Sequence, residues 1–173
     1  MTLLGDMSAL VDFLSTVLRL SIPIVFAALG GVLSERAGVF NLSLEGCILG
    51  GAFGAATGAY LTGTPVGGLL IGLLAAAAIG CILAGLAVSL GINQLVTGIA
   101  INILVLGLTS YLARLILGAD ATSTLPGFTP LAIPLLSAIP VVGPVLFNQD
   151  PLAYAMYLAV PLTYWFLYRT PWG

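Results

Sequence analysis

The chain has 173 residues, of which 60% are hydrophobic and only 6% charged, and its mean hydropathy is +1.20. A soluble domain carries about 25% charged residues, so this chain lacks the polar surface needed to stay dissolved and reads as an all-α integral membrane protein. All four basic residues are arginines, with no lysine and no histidine. This excludes a lysine-based phosphate loop, a lysine Schiff base, a Ser-His or Cys-His dyad and a basic face for nucleic acid. Cys47 and Cys81 are two separate small apolar side chains, too few for a metal set or a disulfide framework. No catalytic residue, metal or cofactor is expected, and the inventory suits a conduit better than a catalyst.

A bilayer core of about 30 Å takes about 20 apolar residues per helix, and the chain divides accordingly. Residues 1–15 place Leu3, Leu4, Met7, Leu10, Val11 and Leu14 at helical spacing. Asp6 and Asp12 interrupt the apolar character, which fits either an N-terminal amphipathic helix at the interface or an extension of the first span. The first transmembrane helix is expected over 13–33, with Arg19 near one end and a kink at Pro23. After the polar turn Ser34-Glu35-Arg36, a second helix is expected over 38–61, ending at Thr62-Gly63-Thr64-Pro65. A third follows over 66–90 and a fourth over 92–117. Residues 119–150 hold Pro126, Pro130, Pro134, Pro140 and Pro144, the mark of a long proline-rich external loop. Its apolar content favours packing on the membrane surface over disorder. Asp150-Pro151 is a helix start, and a fifth helix is expected over 151–168. Tyr164, Trp165, Tyr168 and Trp172 form an aromatic belt at its end, with Arg169 just beyond. Five spans put Arg169 and the Glu35-Arg36 turn on one side. By the positive-inside rule that side is the cytoplasm, which leaves the proline-rich loop outside.

Two kinds of stripe run along these spans. Gly46, Gly50, Gly54 and Gly58 recur every four residues, and Gly68, Gly72, Ala76, Gly80 and Ala84 repeat the device on the next helix. Glycine inside a helix costs about 1 kcal/mol, and close approach of membrane helices is the usual compensation. Helix packing is therefore the reading for Gly46, Gly50, Gly54, Gly58, Gly68, Gly72 and Gly80. The polar stripe comprises Asn41 and Glu45, four apart, with Gln94, Gly98 and Asn102 at the same spacing and Thr97 beside them. Ionisable groups inside a span usually face a cavity or a partner. Asn41, Glu45, Gln94, Thr97 and Asn102 are accordingly candidates for a substrate pathway. The alternative is that these groups cap broken helices or bond to one another.

The stretch LSERAGVFNLSLEG at 33–46, followed by GGAF at 50–53, resembles the signature of ABC-transporter inner-membrane permeases of the branched-chain amino acid, simple sugar and nucleoside family. It is most similar to the nucleoside (simple sugar) type. Supporting blocks are NQLVTGIAIN at 93–102, IPVVGP at 139–144 and LYRTPWG at 167–173. The resemblance implies a non-enzymatic importer subunit, multi-pass in a bacterial cytoplasmic membrane, that moves nucleosides or simple sugars by alternating access. It also implies partners: a second permease subunit in a heterodimer, a cytoplasmic ABC ATPase and an extracytoplasmic solute-binding protein. In the family the segment matched by Arg169, Thr170 and Gly173 opens the ATPase-coupling loop, and further membrane helices follow. The chain is therefore expected to be the N-terminal portion of such a permease, residues 1–173 forming one transmembrane permease domain that stops before that loop.

Two other functional classes remain open on the residues alone. One is an ATP-independent oligomeric carrier or channel, with Glu45 as its ion site. The other is an inactive membrane scaffold, a remnant in which every polar stripe is packing. Membrane lipid is a partner in all three readings.

Overall fold

The computed structural model describes residues 3–118, 125–133 and 142–171. The helices are α1 (Leu3–Arg36), α2 (Leu44–Thr62), α3 (Pro65–Ala84), α4 (Gln94–Ile116), the short α5 (Val142–Phe147) and α6 (Pro151–Arg169). One π-helical turn, Gly85–Ser89, continues α3, and the two-residue strands β1 (Leu131–Ala132) and β2 (Asn148–Gln149) pair antiparallel. Expectations that fall on Asp120, Pro134, Pro140, residues 139–141, Trp172 and Gly173 lie outside the described residues.

Of the two readings of the N-terminus, the structure takes the extension: α1 runs from Leu3 through the first span to Arg36 as one continuous helix of 34 residues. Asp12 is exposed, so its charge needs no buried partner and does not interrupt the helix. At 1.5 Å per residue α1 is about 51 Å long, well beyond the hydrocarbon thickness. It ends on a Schellman motif. Gly38 adopts φ 78°, its N–H bonds the Glu35 carbonyl at 3.0 Å, and Val39 N–H bonds the Ser34 carbonyl at 2.9 Å.

The start of the next helix is a correction. Helix α2 begins at Leu44, not 38, because residues 37–43 form turns and irregular chain, with Leu42 N–H bonding the Phe40 carbonyl at 3.1 Å. Further along, the ends match their sequence signals. Gly63 closes α2 at φ 65°, Thr64 caps α3 by accepting from Gly67 N–H, and Pro65 occupies the first turn. Asn93 caps α4 by accepting from both Leu95 and Val96 N–H.

Two compact units divide the chain. In the unit Gly31–Gly127, α2 packs along α3 and against α4. Its apolar centre is Leu83, Ala87, Ile101 and Val105, joined by Leu49 and Ile79. In the same unit Leu61, Leu74 and Ile103 are 71%, 70% and 67% exposed. Apolar side chains left out in this way need lipid around them rather than water. Cys81 is among the exposed groups, and Cys47 is partly buried. The other unit, Met1–Gly30 with Phe128–Gly173, centres on Ile22, Ala153 and Met156, flanked by Leu18, Val25, Leu152 and Tyr157.

The described part of the proline-rich segment is not irregular throughout. β1 pairs with β2 in the register Leu131 to Gln149 and Ala132 to Asn148, and Ile133 N–H bonds the Phe147 carbonyl at 3.0 Å. Among the described residues three stretches are long and apolar enough to cross a membrane: Met7–Arg36, Pro65–Ser89 and Gln94–Ile116. Helices α2 and α6 have 19 residues each, about 28 Å at helical rise.

Candidate functional site: a broken helix held on a polar stripe

Between the Schellman stop of α1 and the start of α2, residues 40–43 run along α4. The track they follow is the stripe Gln94, Gly98, Asn102, which spans eight residues and about 12 Å of helix. At its first position the Gln94 side-chain oxygen accepts from Phe40 N–H at 2.7 Å. At the second, Gly98 leaves room for Leu42: a methyl group there would lie 3.0 Å from the Leu42 carbonyl carbon. At the third, Asn102 Nδ2 donates to the Leu42 carbonyl at 2.9 Å and its Oδ1 accepts from Gly46 N–H at 2.8 Å. Asn102 thus satisfies one acceptor of the non-helical connection and one orphan donor of the α2 first turn. Non-helical backbone at membrane depth is tolerated only with such partners, buried in protein or lining a cavity.

The remaining candidates divide in the same geometry. The Asn41 side-chain oxygen accepts from Ser43 N–H at 3.0 Å and from the Ser43 hydroxyl at 2.9 Å, an Asx turn that sets the entry to α2. Ser43 is fully buried. Thr97 is buried as well, and its hydroxyl donates to the Asn93 carbonyl at 2.9 Å, within its own helix. Glu45 differs: it is exposed, and its carboxylate has no hydrogen-bond partner among the described residues. Glu45 and Asn102 share a small cavity of about 150 Å³ with Gly46, Leu49, Ile103 and Leu106. The structure therefore brings Glu45 and Asn102 together, and commits Asn41, Gln94 and Thr97 to backbone groups.

The glycine stripes take distinct positions. A methyl group on Gly46 would lie 2.8 Å from the Asn102 oxygen, so this glycine lets the amide reach the backbone. A methyl on Gly50 would collide with the tip of Ile79. On the α2–α3 face, methyls on Gly54 and Gly58 would stand 2.8 Å from Ala75 Cβ and Ile71 Cβ. Methyls on Gly68 and Gly72 would stand 2.8 Å from the Ala55 and Gly51 carbonyl oxygens. Gly80 differs from the rest: among the described residues nothing beyond its own stretch of helix lies within 4 Å of where its methyl would be.

Arg169 ends α6, and the Thr170 hydroxyl donates to the Phe166 carbonyl at 2.6 Å. Tyr164, Trp165 and Tyr168 are exposed, and the Tyr164 and Tyr168 rings lie 5.0 Å apart. Asp150 stands at the α6 N-cap, but its side chain makes no capping bond.

Sequence reasoning passed over one polar centre in the other unit. Gln149 is fully buried; its Nε2 donates to the Val145 carbonyl at 2.7 Å and its Oε1 accepts from Arg19 Nε at 3.1 Å. The Tyr154 hydroxyl donates to the Leu131 carbonyl at 2.7 Å and lies 3.4 Å from Gln149 N. No periodicity points to such a centre, since its members are separated by up to 130 positions.

The model of the family described as "Branched-chain amino acid transport system / permease component" matches residues 13–173. The chain belongs to this permease family. It is 37% identical over 161 residues to the guanosine ABC transporter permease protein NupQ of Bacillus subtilis, covering 87% of this chain and 50% of NupQ. It is 31% identical over 171 residues to a Haloferax volcanii protein, TsgC13, named provisionally as a glucose ABC transporter permease protein, covering 96% of this chain and 51% of that one. With the nucleoside ABC transporter permease protein NupC of Lactococcus lactis it shares 29% identity over 160 residues, covering 88% and 50%. The chain spans about half the length of these curated relatives. No solved structure matches it at a significant level. The permease is a membrane protein, and its family is a transport component rather than an enzyme.

Proposed function

We propose that this permease is a subunit of an ATP-binding-cassette importer that moves nucleosides or simple sugars across a bacterial cytoplasmic membrane by alternating access. The observation that carries the reading is the family match over residues 13–173, with relatives whose names specify guanosine, glucose and nucleosides. Five helices, α1, α2, α3, α4 and α6, cross the membrane, with Arg36 and Arg169 on the cytoplasmic side. A second permease, most simply a different chain in a heterodimer, pairs with it. A cytoplasmic ATPase engages the segment that begins at Arg169, Thr170 and Gly173, and an extracytoplasmic binding protein docks on the segment around β1, α5 and β2.

Within this reading the broken helix lines the solute path. Glu45 supplies the unpaired carboxylate that meets passing hydroxyl groups, and Asn102 shares its cavity. Asn41, Gln94 and Thr97 belong to the same path as the groups that hold its wall. Helix breaks of this kind are where membrane transporters place their sites.

Affinity purification of the tagged native gene product in mild detergent tests the assembly. Recovery of an ABC ATPase and a second permease in stoichiometric amounts is expected. A carrier or scaffold predicts recovery of the chain without any ATPase, and that result would overturn the proposal.

A further inference from the structure

A second cavity belongs to the unit made of Met1–Gly30 and Phe128–Gly173. It is a cleft of about 340 Å³ between Val11–Arg19 of α1 and the α5–β2 segment. That volume is at the lower end of the range, about 300–1,000 Å³, in which small-molecule sites fall. Its polar lining is unusual for a chain with only ten charged side chains. Asp12, Ser15, Thr16 and Arg19 come from α1, Asn148 comes from β2, and Pro144 forms part of the wall.

The charges in this cleft are not used up by each other. Asp12 has no ion-pair or hydrogen-bond partner among the described residues, although Arg19 lines the same cleft. Arg19 donates through Nε to Gln149, which leaves its two terminal nitrogens for a ligand. The Ser15 hydroxyl also has no partner among the described residues, whereas Thr16 donates to the Asp12 carbonyl at 2.8 Å and keeps only acceptor capacity. The far wall is fixed in advance. Gln149 ties Val145 to Arg19, and the β1–β2 ladder and Tyr154 tie that segment to Leu131. A cleft built this way needs little ordering when a ligand enters.

We infer that this cleft is a solute subsite for a neutral, hydroxyl-rich ring, such as the ribose of a nucleoside or a free sugar. The inference rests on the importer reading above, which puts the cleft at the outer end of α1. One carboxylate and one guanidinium sum to zero charge, which disfavours anions and cations alike. The carboxylate accepts from vicinal hydroxyls, Arg19 and Asn148 donate to ring or base oxygens, and Ser15 does either. The cleft would receive solute released from the binding protein.

The test uses the complete transporter in lipid nanodiscs without its binding protein, with guanosine and D-ribose as probes in saturation-transfer NMR. Ribose-ring protons should show the strongest transfer. Asp12→Asn should weaken binding about tenfold or more, the effect of removing a charged hydrogen-bond partner, and Asn148→Ala should weaken it less. Both side chains are exposed, so neither change leaves a buried group stranded, and co-purification of the ATPase serves as the fold control. Unchanged transfer in both variants, with guanosine still accumulated by the wild-type transporter, would sink the subsite and spare the importer reading. Displacement of the probes by leucine would replace the ring by a zwitterion and overturn the assignment. A wild-type transporter that neither binds nor accumulates nucleosides or sugars would overturn both.

Discussion

A methyl group on Gly98 would stand 2.6 Å from the Leu42 Cβ, well inside van der Waals contact. This one absent side chain lets the non-helical connection between α1 and α2 lie directly on α4. Gly98→Ala must push the Leu42 backbone off its track, at a cost of about 1–3 kcal/mol for such overpacking. Thermal unfolding in detergent should show a clear drop in Tm. Gly80→Ala is the contrast, since among the described residues nothing beyond its own stretch of helix lies within 4 Å of its methyl position. It should be neutral or stabilising by up to about 1 kcal/mol through helix propensity.

Asn102 is both donor and acceptor, so its variants should separate the two roles. Asn102→Asp keeps an acceptor for Gly46 N–H and loses the donor to the Leu42 carbonyl. Asn102→Leu loses both and strands two backbone groups, each costing about 1–3 kcal/mol when buried. The expected order of Tm is wild type, then Asp, then Leu. Equal melting of all three would show that water or lipid headgroups satisfy these groups instead.

Glu45 should behave in the opposite way. Its carboxylate is exposed and has no hydrogen-bond partner among the described residues, so Glu45→Gln should change stability by less than about 0.5 kcal/mol. Uptake by the complete transporter should nonetheless fall about tenfold, as for loss of a charged contact with solute. Glu45→Ala should likewise lower uptake while partner assembly persists. Unchanged uptake kinetics in both would move Glu45 out of the pathway.

Much of this architecture was legible in local chemistry, and the exceptions share one cause. Gly63-Thr64-Pro65 and Asp150-Pro151 mark helix ends because caps and prolines act on their own backbone. The break at residues 38–43 carries no proline and reads as apolar, so a helix through it was the natural expectation. What decides its conformation is Gly98 and Asn102, up to 60 positions away, together with the left-handed Gly38. The stripe Gln94, Gly98, Asn102 was visible as a polar face, but its partner was not, because spacing reports a face and not what lies on it. For residues 1–15 the composition left two readings open, because Asp6 and Asp12 fit an interfacial helix as well as an extended span, and the structure takes the extension. Gln149 gave no signal at all, since a single amide in a loop looks like any solvated residue.

Gln149 yields a further expectation. Gln149→Leu removes the acceptor for Arg19 and the donor to Val145 from a fully buried position. The segment from β1 to β2 should then become sensitive to limited proteolysis, while the unit Gly31–Gly127 resists as before. Tyr154→Phe, which loses the bond to the Leu131 carbonyl, should have a milder effect in the same direction. Wild-type cleavage kinetics in both variants would mean that this segment is held by other contacts.

The most direct test of the importer account is uptake of labelled guanosine into proteoliposomes holding the complete transporter, with its binding protein on the outside and ATP enclosed. The account predicts accumulation against a gradient that vanishes when the ATPase is catalytically inactivated or the binding protein is omitted. Accumulation driven by a proton or sodium gradient without ATP would contradict it and make the chain part of an ion-coupled carrier.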